Sequence, residues 1–509
     1  MPDKVVITNV GALRSKYGAA GWRRVKAALS ALVKAYRKGG IVTRVVAIDD
    51  LATMRSFRAR PVTSVLNCRQ NKDAIDAVFK ALHPDYLMLF GSIDVIPHQD
   101  LLNPAFEAGD DDDRHAWGDL PYACDAPYAR TITSFVGPTR VVSRLPDQSG
   151  ATDPSHVVKL LGTASRWKCR DATAYQPGFG LTAYEWRRST ELSVTNVFGA
   201  AARLRTSPKA GPLFARAEFG ARAHFINCHG GDVDPQFYGQ KGKTYPVALT
   251  SRSMAGRVTE GTVCAAECCY GGQLYADVKL GVALPICQSY LTQAAYAYFG
   301  STTIAYGPSD GNGAADLLTQ RFLIEILRGA SVGRAALAAR QSYVSSVGEM
   351  DPVDLKTLAQ FCVYGDPSVQ PVKAVTPTGR PKSTEAAVAS RAGRKERRAK
   401  LASTGRWLQA EKPTAGSRAT HARVSRAVRR VLGGLAREAG LRKTRSTTYN
   451  VKRHRAVRSG KGMAQPDRYH LIVGESSANR TAKPIVDKVV VVAKQVGAHI
   501  VGYRIYYAR

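Results

Sequence analysis

The chain has 509 residues, is 44% hydrophobic and carries a formal charge of +33 at neutral pH. That length exceeds one ordinary domain, and the apolar share supports a large core, which excludes a disordered or fibrous chain. The charge is uneven: residues 376–465 hold 24 Lys or Arg against four acidic residues, a net +20 that would attract polyanions through a salt-sensitive field.

The first element, KVVIT (4–8), reads as a short strand. It is preceded by no charged leader with an apolar stretch, so no signal peptide is expected. GWRRVKAALSALVKAYRKGG (21–40) has apolar residues at helical spacing and a Gly-Gly stop. IVTRVVAIDD is the next strand, NKDAIDAVFKALHP a helix ended by Pro84, and DYLMLFGSIDVIP a buried strand running into a loop. Strands separated by helices indicate a parallel sheet covered on both faces. The irregular segment 108–130 follows, then a strand in TRVVSRLPD and a helix in DPSHVVKLLGTASRW.

Two short apolar strands come next, AHFINCHGGD and GTVCAAECCYGG, each breaking off at a small-residue turn. LPICQSYLTQAAYAYFG (284–300) reads as a helix, STTIAYGPSDGNG as a strand entering a glycine loop, and residues 314–344 as two helices with Gly329 between them. TLAQFCVYGDPSVQPV closes the core. Residues 375–465 then read as a basic, largely disordered linker, with 421–440 a helix weakened by Gly433-Gly434. The last stretch, 466–509, reads strand–helix–strand, a small α/β module. The expected units are 1–150, 151–374, 375–465 and 466–509. No run approaches the ~18 apolar residues of a membrane span. Nine cysteines without framework spacing suit free thiols in a reducing compartment, which makes the cytoplasm the expected location.

The chemistry concentrates on the two broken strands. A nucleophilic thiol needs a base nearby, and a strand end is a rigid mount for either group. Cys269 and His229 are therefore the candidate catalytic pair, with glycines beside each to let a substrate backbone approach. Alternation along a strand would send Cys268 to the opposite face, into the core. No metal site is expected: Cys228, His229, Cys264, Cys268 and Cys269 contain no Cys-x-x-Cys knuckle, and neighbours on a strand face opposite ways. Asp110–Asp113 offers clustered oxygens that calcium could use, although a solvated acidic loop explains it as well.

Several of these segments, in order, resemble the gingipain-like cysteine peptidases of the caspase, gingipain and legumain type. They are DYLMLFGSIDVIP, GDLPYACD with TRVVSRLPDQS, HFINCHGG, ECCYGG, GASVGRAALAAR and VYGDPSV, together spanning about residues 4–372. Ser143 stands where that family usually has Gly, and Cys268 where relatives often carry Ala. The resemblance implies a caspase-like α/β fold and a cysteine endopeptidase acting on protein or peptide through His229 and Cys269. It also implies an oxyanion hole from the N–H groups of Gly230 and Cys269. It further implies cleavage after Arg or Lys, with Asp119 and Asp125 in the loop matching the specificity pocket. No cofactor is required under it, and calcium is an option. The competing expectation is a basic nucleic-acid-binding protein on an inactive peptidase-like scaffold, with 376–465 touching nucleic acid or an anionic surface.

Overall fold

The computed structural model describes residues 1–199, 203–374, 391–419, 423–441, 446–452, 467–475 and 488–509. The strands, in chain order, begin with β1 (Lys4–Thr8), β2 (Thr43–Ala47) and β3 (Tyr86–Phe90), then the hairpin β4 (Gln99–Leu102) and β5 (His115–Gly118), then β6 (Val142–Leu145). The middle of the chain supplies β7 (Phe179–Ala183), β8 (Arg203–Ser207), β9 (Ala223–Asn227), β10 (His229–Gly230), β11 (Gln236–Tyr238), β12 (Val247–Thr250) and β13 (Val263–Ala266). It continues with β14 (Ala297–Ser301), β15 (Tyr306–Gly307) and β16 (Phe361–Tyr364). The extension adds β17 (Thr414–Arg418), β18 (Thr447–Lys452), β19 (Arg468–Glu475), β20 (Lys488–Val496) and β21 (His499–Ala508).

Ten strands form one sheet in the order β2-β1-β3-β6-β16-β14-β13-β9-β7-β8. Within each half the neighbours run parallel, and the halves meet antiparallel at β14 and β16. Parallel strands buried on both faces read as continuous apolar runs, which is why YLMLF and AHFIN are buried along their whole length. Side chains alternate between two cores: along β13, Cys264 and Ala266 enter one and Val263 and Ala265 the other. The helix Val10–Lys38 lies over the first core. The helices Ala315–Leu327 and Val332–Ser346 lie over the second. The result is the expected α/β architecture: a large, mostly parallel sheet with helices on both faces.

Buried ions stitch the first half together. The Lys4 ammonium pairs with Asp366 with neither side chain exposed beyond 1%. Arg144, on β6 and fully buried, donates to both Asp119 oxygens at 2.6 and 2.9 Å, and to the carbonyls of Gly91 and Ile96. Ser143 donates its hydroxyl to Gly365 O at 2.7 Å.

Three elements differ from expectation. Residues 284–300 are not one helix: the helix spans Ile286–Thr292, and after Ala294 turns into positive φ the Tyr- and Phe-rich remainder becomes β14. The described part of 375–465 is ordered rather than a linker. The helix Arg391–Glu411 buries Leu408, and its Gln409 amide bonds Thr133 O and Gly137 N. The helix Arg426–Glu438 forms despite its glycine pair, because Val428, Leu432 and Leu435 find a partner in Val489 and Val491 of β20. The parts of the expected 375–465 linker at 375–390, 420–422, 442–445 and 453–465 lie outside the described residues. In 466–509 no helix appears among the described residues. The valine run of β20 has no helical period, and it pairs along its length with β19 and β21. The extension thus forms an antiparallel sheet in the order β15-β21-β20-β19-β18-β17, joined to the main body through β15. Among the described residues no helix is long and apolar enough to cross a membrane.

Candidate functional site

Strands β9 and β13 are parallel neighbours in the register Ala223↔Val263. His229 and Cys269 lie the same distance beyond those paired residues, so the ladder alone brings them to one end of the sheet side by side. Glu267 N continues the ladder onto Ile226 O at 2.8 Å. Just past Cys269 the chain turns sharply, with Tyr270 at a φ of 54°. Backbone strain of this kind tends to sit where a side chain must be aimed.

Gly230 follows His229 and crosses the Cys269 backbone so closely that a Cβ there would sit 1.9 Å from Cys269 O. No other residue type permits that approach. Because the two chains touch, the N–H groups of Gly230 and Cys269 point at one spot. Both donate to the carbonyl oxygen of Arg509, at 3.3 and 2.7 Å.

The imidazole of His229 is 1% exposed and lies between the rings of Trp186 and Tyr245, with centroids 4.3 and 5.2 Å away. Its Nε2 meets Gln240 Oε1 at 2.8 Å, while the Gln240 amide nitrogen donates to Tyr245 Oη at 2.9 Å. That orientation makes Nε2–H the donor and leaves Nδ1 as the basic nitrogen, which has no hydrogen-bond partner. Among the described residues Gln240, and no carboxylate, is hydrogen-bonded to this histidine. Cys269 Sγ is fully buried, 3.3 Å from Ala305 N and 3.5 Å from Ala305 O, and is not hydrogen-bonded to His229. Burial pushes the Cys269 thiol up to about 12 and the His229 imidazole down to about 4. With the cleft closed as it is here, both are neutral. Cys268 points into the opposite core with Cys228 and Cys264.

Beside the pair lies an acidic pocket. Glu267 and Asp316 are both fully buried. Thr319 Oγ1 donates to Glu267 at 3.0 Å, and Ser189 Oγ donates to Asp316 at 2.7 Å. Burial, followed by repulsion from Asp316, raises Glu267 well above the usual carboxylate range. The fully buried Arg509 guanidinium fills this pocket. Its Nη2 reaches Pro308 O at 2.6 Å and both Asp316 Oδ1 and Ser189 Oγ at 3.4 Å, and its Nε lies 3.9 Å from Glu267. Its plane covers Trp186 at 4.5 Å, a cation–π arrangement. Gly307 leaves the room for it, since a Cβ there would meet the guanidinium at 2.4 Å.

The structure does not bring Asp119 or Asp125 to this site. Asp119 is bound to Arg144 and, at 3.0 Å, to His98 Nδ1. Asp125 pairs with Arg140 at 3.2 Å and faces Arg406. The acidic run is also engaged: Asp111 receives Lys356 Nζ at 2.6 Å and Tyr306 Oη at 2.9 Å, and Asp113 binds Tyr270 Oη and Ile304 N. A cation from the protein already sits there. Among the described residues, His98, Asp119 and Cys362 are the one group spaced to share a metal, and Arg144 already neutralises its carboxylate.

Sequence reasoning missed Glu267, Asp316, Trp186, Gln240 and Arg509. One signal was available: Glu267 is a lone acid directly after the apolar strand β13, where burial of an unpaired carboxylate is costly. Nothing local marks Asp316, which sits in the first turn of a helix as acids commonly do.

No family model matches the chain, and no curated protein matches it. Solved structures similar to it include one described as "Structure of Protease", at 12% identity and a TM-score of 0.46, covering 99% of this chain and 96% of that one. The Arg-specific cysteine proteinase gingipain R is similar at 9% identity and a TM-score of 0.49, over 99% and 97% of the two chains. The Saccharomyces cerevisiae separase–securin complex is similar at 11% identity and a TM-score of 0.29, over 48% of this chain and 15% of that one.

Proposed function

We propose that the chain is a cysteine endopeptidase that cleaves protein or peptide substrates after arginine, and more weakly after lysine. In this reading His229 Nδ1 takes the proton of Cys269, and the thiolate adds to the substrate carbonyl carbon. The resulting oxyanion rests on the N–H groups of Gly230 and Cys269. The amine leaves with the proton held by His229, and a thioester remains. Water, deprotonated by the same imidazole, then hydrolyses the thioester and restores the thiol.

One observation carries the reading. Arg509 has its carbonyl oxygen on two converging N–H donors beside a cysteine and a histidine, and its guanidinium between two buried acids. A carbonyl and a cationic side chain joined through one Cα are what a substrate residue before the scissile bond presents. Arginine is favoured over lysine because a planar guanidinium can lie over the Trp186 ring, as that of Arg509 does at 4.5 Å, while one of its nitrogens, Nη2, meets Pro308 O, Ser189 Oγ and Asp316.

The test is hydrolysis of fluorogenic peptides ending in Arg, Lys, Asn or Asp by the intact chain and by Cys269→Ala. Cleavage after Arg that disappears in the variant is expected. Cleavage that survives Cys269→Ala, or a preference for Asn or Asp, would refute it.

A further inference from the structure

Arg509 does not lie in the cleft alone. Strand β21 pairs antiparallel with β15, Ala508 against Tyr306 and Tyr507 against Gly307. Arg509 N then donates to Ala305 O at 3.0 Å. Adding an extended segment to a free strand edge is a general way of binding peptides, with main-chain bonds giving affinity and pockets reading side chains. Here the edge at 305–307, the acidic pocket and the two N–H groups are all occupied by one segment of the chain itself.

That segment is firmly held from behind. β21 is hairpinned to β20 from Val496↔His499 to Val489↔Tyr507. Arg504 Nη1 reaches Asp351 and Asp354 of the main body at 3.5 and 3.4 Å, and Lys494 of β20 pairs with Glu349 at 3.0 Å. The other edge of the same sheet is pinned where Ala415 N donates to Met350 O at 2.7 Å. The extension therefore serves as a frame that delivers one strand end to the cleft. Its consequence at the nucleophile is visible: Cys269 and His229 are both without solvent contact beyond 1%.

We propose that β21 with Arg509 is a resident ligand of the peptidase cleft, laid in the register of a substrate's acyl side, so that the enzyme is latent until another extended chain displaces it. This rests on reading Cys269 and His229 as the reacting pair. A tethered ligand competes at an effective concentration in the millimolar range for short links, so the intact chain turns over arginine peptides only when they are supplied near that concentration. The displaced state also differs chemically. Water then reaches a thiol and an imidazole that burial now keeps neutral, and the acidic pocket is left to take the incoming guanidinium. The substrate class that opens the cleft is therefore an extended, arginine-bearing polypeptide able to pair with 305–307.

The experiment measures the rate at which iodoacetamide alkylates Cys269, located by peptide mass mapping, in the intact chain, in Arg509→Ala and in Arg509→Lys. Each is checked by thermal melting, and each is also assayed on an Arg peptide. Labelling of Cys269 in Arg509→Ala at least tenfold faster than in the intact chain is expected, with Arg509→Lys between them. Arg509→Gln, which keeps side-chain length without charge, replaces the alanine chain if that chain does not fold. Equal labelling rates in folded chains would overturn the inference, whatever the peptidase assay shows. Faster labelling with no hydrolysis of Arg peptides by any chain would leave the resident strand standing and remove the peptidase reading.

Discussion

Gly230→Ala is the sharpest perturbation of the proposed oxyanion site. A Cβ at this position would stand 1.9 Å from Cys269 O, a backbone atom that cannot swing aside, whereas real Cβ atoms keep about 3.0 Å. The two crossing segments must therefore part by roughly 1 Å, and a misplacement of that size near reacting atoms costs on the order of 100-fold in rate. The Gly230 N–H bond to the carbonyl oxygen is already 3.3 Å long, so the same displacement takes it beyond hydrogen-bond reach. Losing one such donor costs about 2.7–4 kcal/mol of barrier, or ~10²–10³ in kcat. Ground-state binding of the arginine side chain, made by residues elsewhere, should change little. The assay is kcat and KM on an Arg peptide, with thermal melting to show that the chain is folded. A folded Gly230→Ala enzyme with unchanged kcat would refute the assignment of this N–H. So would a loss confined to KM.

Two further outcomes separate the acidic groups. Glu267→Gln should raise KM for Arg peptides about tenfold, ~1.4 kcal/mol, with a smaller change in kcat. In the parent chain, Glu267 sits well above the usual carboxylate range through burial and the nearby Asp316. It is therefore protonated at low pH, and KM should fall as pH rises through its titration, a dependence absent from the Gln variant. A pH-independent KM in the parent would count against the pocket. Asp119→Ala should act on stability instead, by about 3–5 kcal/mol, because it strands the buried Arg144. Burial would raise the Asp119 carboxyl, but the Arg144 charge and the hydrogen bond from His98 hold it below the usual range. Its contribution is thus present above the ordinary carboxylate pKa and is lost only as pH falls through the depressed folded value. A folded Asp119→Ala chain that melts normally but no longer prefers arginine would return Asp119 to the specificity pocket.

Much of the fold was legible because parallel strands buried on both faces must be written as short apolar runs. Six such runs were read in the first 300 residues, whereas Phe179–Ala183 and Arg203–Ser207 of the same sheet went unread. The positions of His229 and Cys269 were legible for the same reason: each follows such a run and precedes glycines. The strand half of 284–300 was hidden because small and aromatic residues satisfy a helix pattern and a strand pattern alike. The extension was misread because its average composition is basic, while the few apolar residues that matter, such as Leu408, Val428 and Leu432, are spread thinly among charges.

The linear order of residues thus determined the short apolar strands that carry the thiol and the imidazole at their ends, and where glycine must be kept. Tertiary structure alone decided which charges meet. It sent Asp119 to Arg144 and set Glu267 and Asp316, about 50 positions apart, beside the Arg509 guanidinium. It also carried Arg509 from the far end of the chain to the N–H groups of Gly230 and Cys269. A carboxylate's partner is set by which buried cation the sheet order places within a few ångströms, and strand order across a ten-stranded sheet is a non-local property that no local window contains.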